Sequence, residues 1–150
     1  MRTDAQRISV VVFLSPECPL SQNYTSVLNK LAGTYDGKVS IEGVIPDSSY
    51  SVADIEKFRK EYHIVFDLSR DPGLRRVHGL KATTTPQAFL LDEEGHVVYE
   101  GLIDNWAVSL GVQRTVITEH YLTDAIEASL HHSAVAVRKT QPVGCLINTN

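Results

Sequence analysis

Ile8-Ser9-Val10-Val11-Val12-Phe13-Leu14-Ser15-Pro16-Glu17-Cys18-Pro19-Leu20-Ser21 carries two structural signals in succession. Residues 8–14 are almost all apolar and rich in β-branched side chains, the pattern of a strand covered on both faces. Beyond Pro16, the positions Leu20, Tyr24, Val27, Leu28 and Leu31 recur at helical spacing, which predicts a helix ending near Gly33. Pro19 suits its first turn, where a backbone N–H would have no partner to lose. Cys18 therefore falls where a strand gives way to a helix. The unpaired N–H groups and positive dipole end there favour thiolate over thiol.

Working outward, residues 39–45 read as a second buried strand stopped by Pro46. Ser51-Val52-Ala53-Asp54 has the form of a capping box, and Val52, Ile55, Phe58 and Tyr62 mark the helix behind it. An apolar piece at 64–68 precedes Asp71-Pro72-Gly73, and a brief helix over 74–79 is expected to close at Gly79. Thr83-Thr84-Thr85-Pro86 leads into the apolar run 87–91. The turn Glu93-Glu94-Gly95 then predicts an antiparallel hairpin with 96–100. Leu122, Ile126 and Leu130 give a closing helix over 119–131, and from Ser133 the periodicity lapses. The division expected is a domain over 1–132 and a tail over 133–150 that carries Cys145.

The chain has 150 residues, 43% of them hydrophobic and 21% charged, which suits one globular core and not two. A net charge of −4 without a basic run gives nucleic acid and anionic membranes no purchase. No apolar stretch approaches the roughly 20 residues that span a bilayer. Residues 1–7 are too short and polar for a signal peptide. A bacterial periplasmic or envelope location is expected if a targeting segment precedes this chain. The two cysteines lack CxxC or Cys/His spacing, which excludes a zinc ribbon and a disulfide-dense mini-fold. Cys18 and Cys145 can meet only through the fold.

The order β-α-β, an α/β insertion, a β-hairpin and a final helix gives an α/β class, with a central mixed sheet and helices on both faces. In it, residues 13–21 and Thr85-Pro86-Gln87-Ala88-Phe89-Leu90-Leu91-Asp92 resemble the redox loop and cis-proline strand of thioredoxin-like redoxins. That group includes thiol-disulfide interchange proteins and the alkyl hydroperoxide reductase/thiol-specific antioxidant family. The resemblance runs over roughly residues 8–131, with the segment between 45 and 86 as the redoxin-type insertion. Thr118-Glu119-His120-Tyr121-Leu122 and Pro142-Val143-Gly144-Cys145-Leu146-Ile147 are similar to the C-terminal half of bacterial redoxins that pair Cys-Pro-x-Ser with a late cysteine. The resemblance implies a cis Thr85-Pro86 bond that presents the Thr85 backbone to an extended substrate beside the nucleophile.

Thiol-disulfide exchange needs an attacking thiolate and a second thiol to resolve the mixed disulfide. The last residue of the expected CxxC is Ser21, which cannot form a disulfide; its hydroxyl is placed to donate to a Cys18 thiolate. Cys145 is the candidate resolving thiol, because an extended tail from His132 spans a small domain at about 3.3 Å per residue. A permanent structural staple between the two is the alternative. The catalytic candidates are Cys18, Ser21, Thr85, Pro86 and Cys145. Pro19, beside the nucleophile, and Trp106, lining a groove, are the substrate-contact candidates. A protein or small-molecule thiol or disulfide is the expected substrate and an external thiol the reductant, with no cofactor or metal.

Two rival functions remain at this level. A non-catalytic thioredoxin-fold binding or copper-carrying module would use Cys18, Cys145 and His78 as soft ligands, although Ser21 and Gln22 deny it two cysteines in the first loop. A thiol peroxidase would have Ser15 in place, but Val11 stands where that family's proline is expected, and Arg114 reads as a solvated surface residue. Asp104 reads as a turn cap, with proton transfer to Cys18 as its alternative role. Glu17 is expected to face solvent.

Overall fold

In a computed structural model the described residues are 7–149; residues 1–6, on which the reading of the leading segment mainly rests, lie outside them. The first strand, β1 (Ile8–Phe13), is followed by α1 (Pro19–Thr34), β2 (Val39–Ile45), α2 (Val52–Glu61), β3 (Asp67–Arg70) and α3 (Arg75–Leu80). Then come β4 (Thr84–Thr85), β5 (Gln87–Leu91), β6 (Val97–Gly101), β7 (Ala107–Ser109), β8 (Val112–Gln113), α4 (Tyr121–Leu130) and β9 (Cys145–Leu146). The main sheet has the order β3-β2-β1-β5-β6. Its first three strands are parallel; β5 runs antiparallel to β1, and β6 runs antiparallel to β5.

β1 lies at the centre because both of its faces are apolar. Val10, Val12 and Leu14 join the larger core with Tyr24 and Leu28 of α1, Ile55 and Phe58 of α2, and Leu122 and Ile126 of α4. Val11 and Phe13 point the other way, into a smaller core with Val44, Val77, Ala82 and Phe89. Phe13 and Phe89 meet edge to face there, with ring centroids 5.7 Å apart. The alternation of side chains along a strand places consecutive residues in different cores.

The α2 capping box forms as expected: Ser51 Oγ accepts the Asp54 N–H, and the Asp54 carboxylate accepts the Ser51 N–H. One local expectation needs correction. Gly79 does not close α3; it lies inside the helix, and Lys81 takes the left-handed position at φ 60°. In the apolar piece at 64–68, Ile64 and Phe66 are core side chains, and β3 begins at Asp67.

The tail is ordered by specific bonds. Glu100 N–H donates to Arg138 O and Thr140 N–H to Glu100 O, both at 3.0 Å, so residues 138–140 run along the edge of β6. Thr140 Oγ1 accepts the Leu102 N–H at 2.8 Å and lies 2.7 Å from the Tyr99 hydroxyl. Gly101, at φ +133°, admits this approach, since a Cβ there would overlap Thr140. Five residues later, at Cys145, the chain pairs with β4. No helix among the described residues is long and apolar enough to cross a membrane.

Candidate functional site: a disulfide on the edge of a short strand

Cys18 is the N-cap of α1, with extended φ and ψ of −86° and 120°, and Pro19 occupies the first helical position. Gln22 N–H closes the first turn onto Cys18 O at 3.0 Å. Pro19 removes one first-turn donor, so the N–H groups of Leu20 and Ser21 represent the helix terminus beside the sulfur. Ser21 is fully buried, and its Oγ accepts the Ser15 N–H at 3.1 Å. This bond closes the loop from Ser15 to Ser21.

Cys18 and Cys145 form a disulfide across 127 residues of sequence, with Cα atoms 6.2 Å apart. The tail reaches this position as β9, which pairs antiparallel with β4: Thr84 opposite Leu146, Thr85 opposite Cys145. Ile147 N–H donates to Thr83 O at 2.9 Å, and Thr85 Oγ1 to Cys145 O at 3.4 Å. The Thr85–Pro86 peptide is cis. Thr85 O stands 3.3 Å from Cys18 Sγ, where it would accept the proton of a reduced thiol. The helix terminus acts in the opposite sense, favouring the thiolate.

β4 is positioned by a residue that the sequence reading passed over. Gln87, 5% exposed, turns its side-chain carbonyl back under the segment, where Oε1 accepts the N–H groups of Thr83 at 2.9 Å and Thr84 at 3.3 Å. A buried glutamine at a strand start is the visible signal, but its partners lie before the proline and cannot be read from spacing.

Cys18 is only 2% exposed and packs in the larger core, so the expected open thiolate is not the state described. Cys145 is half-buried and borders a cavity of about 340 Å³ with Thr85, Ser15, Leu146 and Ile147. Trp106 lies elsewhere. It packs edge to face on Tyr24 at 5.8 Å and lines a separate hollow with Asn23, Val27 and Ile117. This hollow is distinct from the cavity that Cys145 borders.

Asp104 is buried, and its Oδ1 accepts the Tyr24 hydroxyl at 2.5 Å and the Trp106 N–H at 3.0 Å. Burial, reinforced by the Asp104 carboxylate, raises the Tyr24 hydroxyl far above its usual range. Asp104 thus ties α1 to the loop after β6, beyond the turn cap expected of it. Glu17 is exposed as expected, and its carboxylate accepts the Tyr50 hydroxyl at 2.6 Å. Arg114 and His78 are exposed, and Val11 is buried in β1.

No family model matches the sequence, and no curated protein matches it. Solved structures do. A hypothetical protein from Sinorhizobium meliloti superimposes at a TM-score of 0.84 with 24% identity, over 96% of this chain and 80% of that one. An uncharacterized conserved protein from Geobacillus kaustophilus does so at 0.82 with 21% identity, over 95% and 77%. A secreted Mycobacterium tuberculosis disulfide oxidoreductase homologous to E. coli DsbE matches at 0.60 with 16% identity, over 82% of each chain. The chain has the thioredoxin-like fold. In thioredoxin-like terms, β1, α1 and β2 form the opening β-α-β unit, and β5 and β6 form the antiparallel half. The disulfide joins the N-cap of the first helix to the tail.

Proposed function

We propose that this chain is a thiol-disulfide oxidoreductase in which Cys18 attacks substrate disulfides and Cys145 resolves the intermediate. The observation that carries the reading is the Cys18–Cys145 disulfide at a helix N-cap, seated against the Thr85 backbone. In the reduced chain, a Cys18 thiolate attacks one sulfur of a substrate disulfide. The new Cys18–substrate bond forms as the substrate bond breaks, and the other substrate sulfur leaves as a thiolate. Cys145 then attacks Cys18, restoring the internal disulfide and releasing the second substrate thiol. The pair is oxidised and the substrate reduced by the same two electrons.

Thr85 and Pro86 shape the face on which this happens, Pro19 flanks it, and Ser21 holds the Ser15 to Cys18 loop in place. Protein thiols or disulfides in an oxidising, extracytoplasmic compartment are the fitting substrates, consistent with the secreted neighbour of the same fold. The test is reduction of a small disulfide by the dithiothreitol-reduced chain, with iodoacetamide labelling at neutral pH. The wild-type chain turns over; Cys18→Ser is inactive; Cys145→Ser stops at a mixed disulfide on Cys18. Labelling of reduced Cys18 no faster than free cysteine, together with no turnover, would leave the disulfide as a structural staple.

A further inference from the structure

The tail's strand packs through its own sequence as well as its sulfur. Along residues 143–147 the side chains alternate: Val143 packs on the larger core, Cys145 is bonded, and Ile147 packs on the smaller core, the one that contains Val77 and Phe89. Leu146, between them, is 84% exposed. Gly144 has no room for a side chain, because a Cβ there would run into the Thr85 carbonyl and lie 3.0 Å from Pro86 Cδ. The remaining bonds to β4 come from the backbone and carry no sequence information.

The edge of β4 therefore offers three unlike environments to an extended strand. A sulfur site faces Cys18, a wall of backbone and proline ring stands one residue before it, and an apolar seat lies two residues after it. The tail fills all three while the disulfide is closed. It is also tethered close by: at about 3.5 Å per residue, the five steps from Thr140 to Cys145 reach no further than about 17 Å.

We propose that substrate and tail compete for this one edge, and that the edge selects substrates by the pattern the tail itself carries. The preferred substrate is an extended peptide with glycine directly before the reactive cysteine, any residue directly after it and a branched apolar residue at the second position after it. The proposal rests on the exchange reading above and adds to it the sequence that the site prefers. Resolution and product release then become one event, since the returning tail takes the strand position that the substrate vacates.

The test uses the full-length Cys145→Ser chain, reduced, with three hexapeptides supplied as mixed disulfides with glutathione. They are Pro-Val-Gly-Cys-Leu-Ile, the same peptide with valine in the glycine's place, and the same peptide with aspartate in the isoleucine's place. Cys18 attacks the peptide sulfur, glutathione leaves as its thiolate, and the Cys18–peptide adduct is followed by mass. The parent peptide is expected to react about tenfold or more faster than either variant. Equal rates for all three, with the chain reactive, would overturn the selectivity and leave the exchange function standing. No reaction with any peptide or with glutathione disulfide would overturn both.

A second measurement avoids dependence on the Cys145→Ser chain. In the otherwise wild-type chain, Gly144→Val is expected to shift the Cys18–Cys145 equilibrium against glutathione toward the dithiol by about tenfold or more. An unchanged equilibrium would refute the steric part of the proposal.

Discussion

Thr85 and Cys145 face each other across a two-residue antiparallel ladder, and the Thr85 carbonyl oxygen lies 3.3 Å from the sulfur to which Cys145 is bonded. One residue thus supplies both the strand edge that holds the tail and the polar atom nearest the reacting sulfur. The disulfide and the ladder are different bonds, so the redox state of the pair and the docking of the tail are separable quantities.

The first consequence concerns stability. A link between residues 127 apart closes most of the chain into a loop, which in the chain-entropy account stabilises the folded state by about 4–5 kcal/mol. Denaturant unfolding of the oxidised chain against the same chain in excess dithiothreitol should show a difference of that order. A difference below about 1 kcal/mol would mean that the reduced chain regains what the link supplies.

The second concerns where reductant attacks. Cys18 is 2% exposed, whereas Cys145 borders an open cavity and its partner would leave as a thiolate at a helix N-terminus. A limiting amount of glutathione should be trapped on Cys145, leaving Cys18 as the released thiol. Peptide mapping after acid quench reads the site directly, and glutathione found on Cys18 would reverse the assignment.

The third concerns the tether. Thr140 Oγ1 accepts the Leu102 N–H and meets the Tyr99 hydroxyl, and Thr140 N–H donates to Glu100 O. Thr140→Val removes the hydroxyl and leaves the Leu102 N–H without that acceptor, at a cost of about 1–3 kcal/mol. The Cys18–Cys145 disulfide should then be reduced more readily by glutathione. An unaltered redox equilibrium would show that residues 138–140 do not govern the return of Cys145.

The fourth is a pH dependence. Burial would raise the Glu42 carboxyl, but hydrogen bonds from Arg76 and Ser69 outweigh it and hold the group below its usual value of 4.5. A carboxyl that is more acidic folded than unfolded stabilises the fold fully well above 4.5, and that contribution is lost as pH falls through the lowered folded value. Both side chains are about one-third exposed, so screening limits the effect to about 1 kcal/mol. The stability difference between wild type and Glu42→Gln should be constant near neutrality and shrink as the pH falls below 4.5 and through the lowered folded value. A difference that does not change with pH would exclude this linkage.

The order of elements along the chain and the central place of β1 were legible because hydrophobic burial writes itself as periodicity. The unbroken run of residues 8–14 can satisfy both of its faces only at the centre of a sheet, and the spacing of Leu20, Tyr24, Leu28 and Leu31 has one helical solution. Cys18 at a helix start, the capping box at Ser51 and Asp54, and the hairpin of β5 and β6 follow from equally local rules. The tail carried no such signal. Its strand is two residues long, its anchors at Thr140 and Gly101 come from separate segments, and Gly144 is small because of a carbonyl 59 positions earlier. Gln87 and the Asp104–Tyr24 bond are likewise contacts between distant parts of the chain.

By itself the sequence determined the α/β architecture and the presence of a thiol at the first helix's N-terminus, because periodicity and capping act between residues within a few positions of each other. Only the tertiary structure decided that the second thiol reaches the first, buries it and lies along β4 as a strand would. Those facts depend on which surfaces meet after the chain has closed, and no local pattern encodes a meeting across 127 residues.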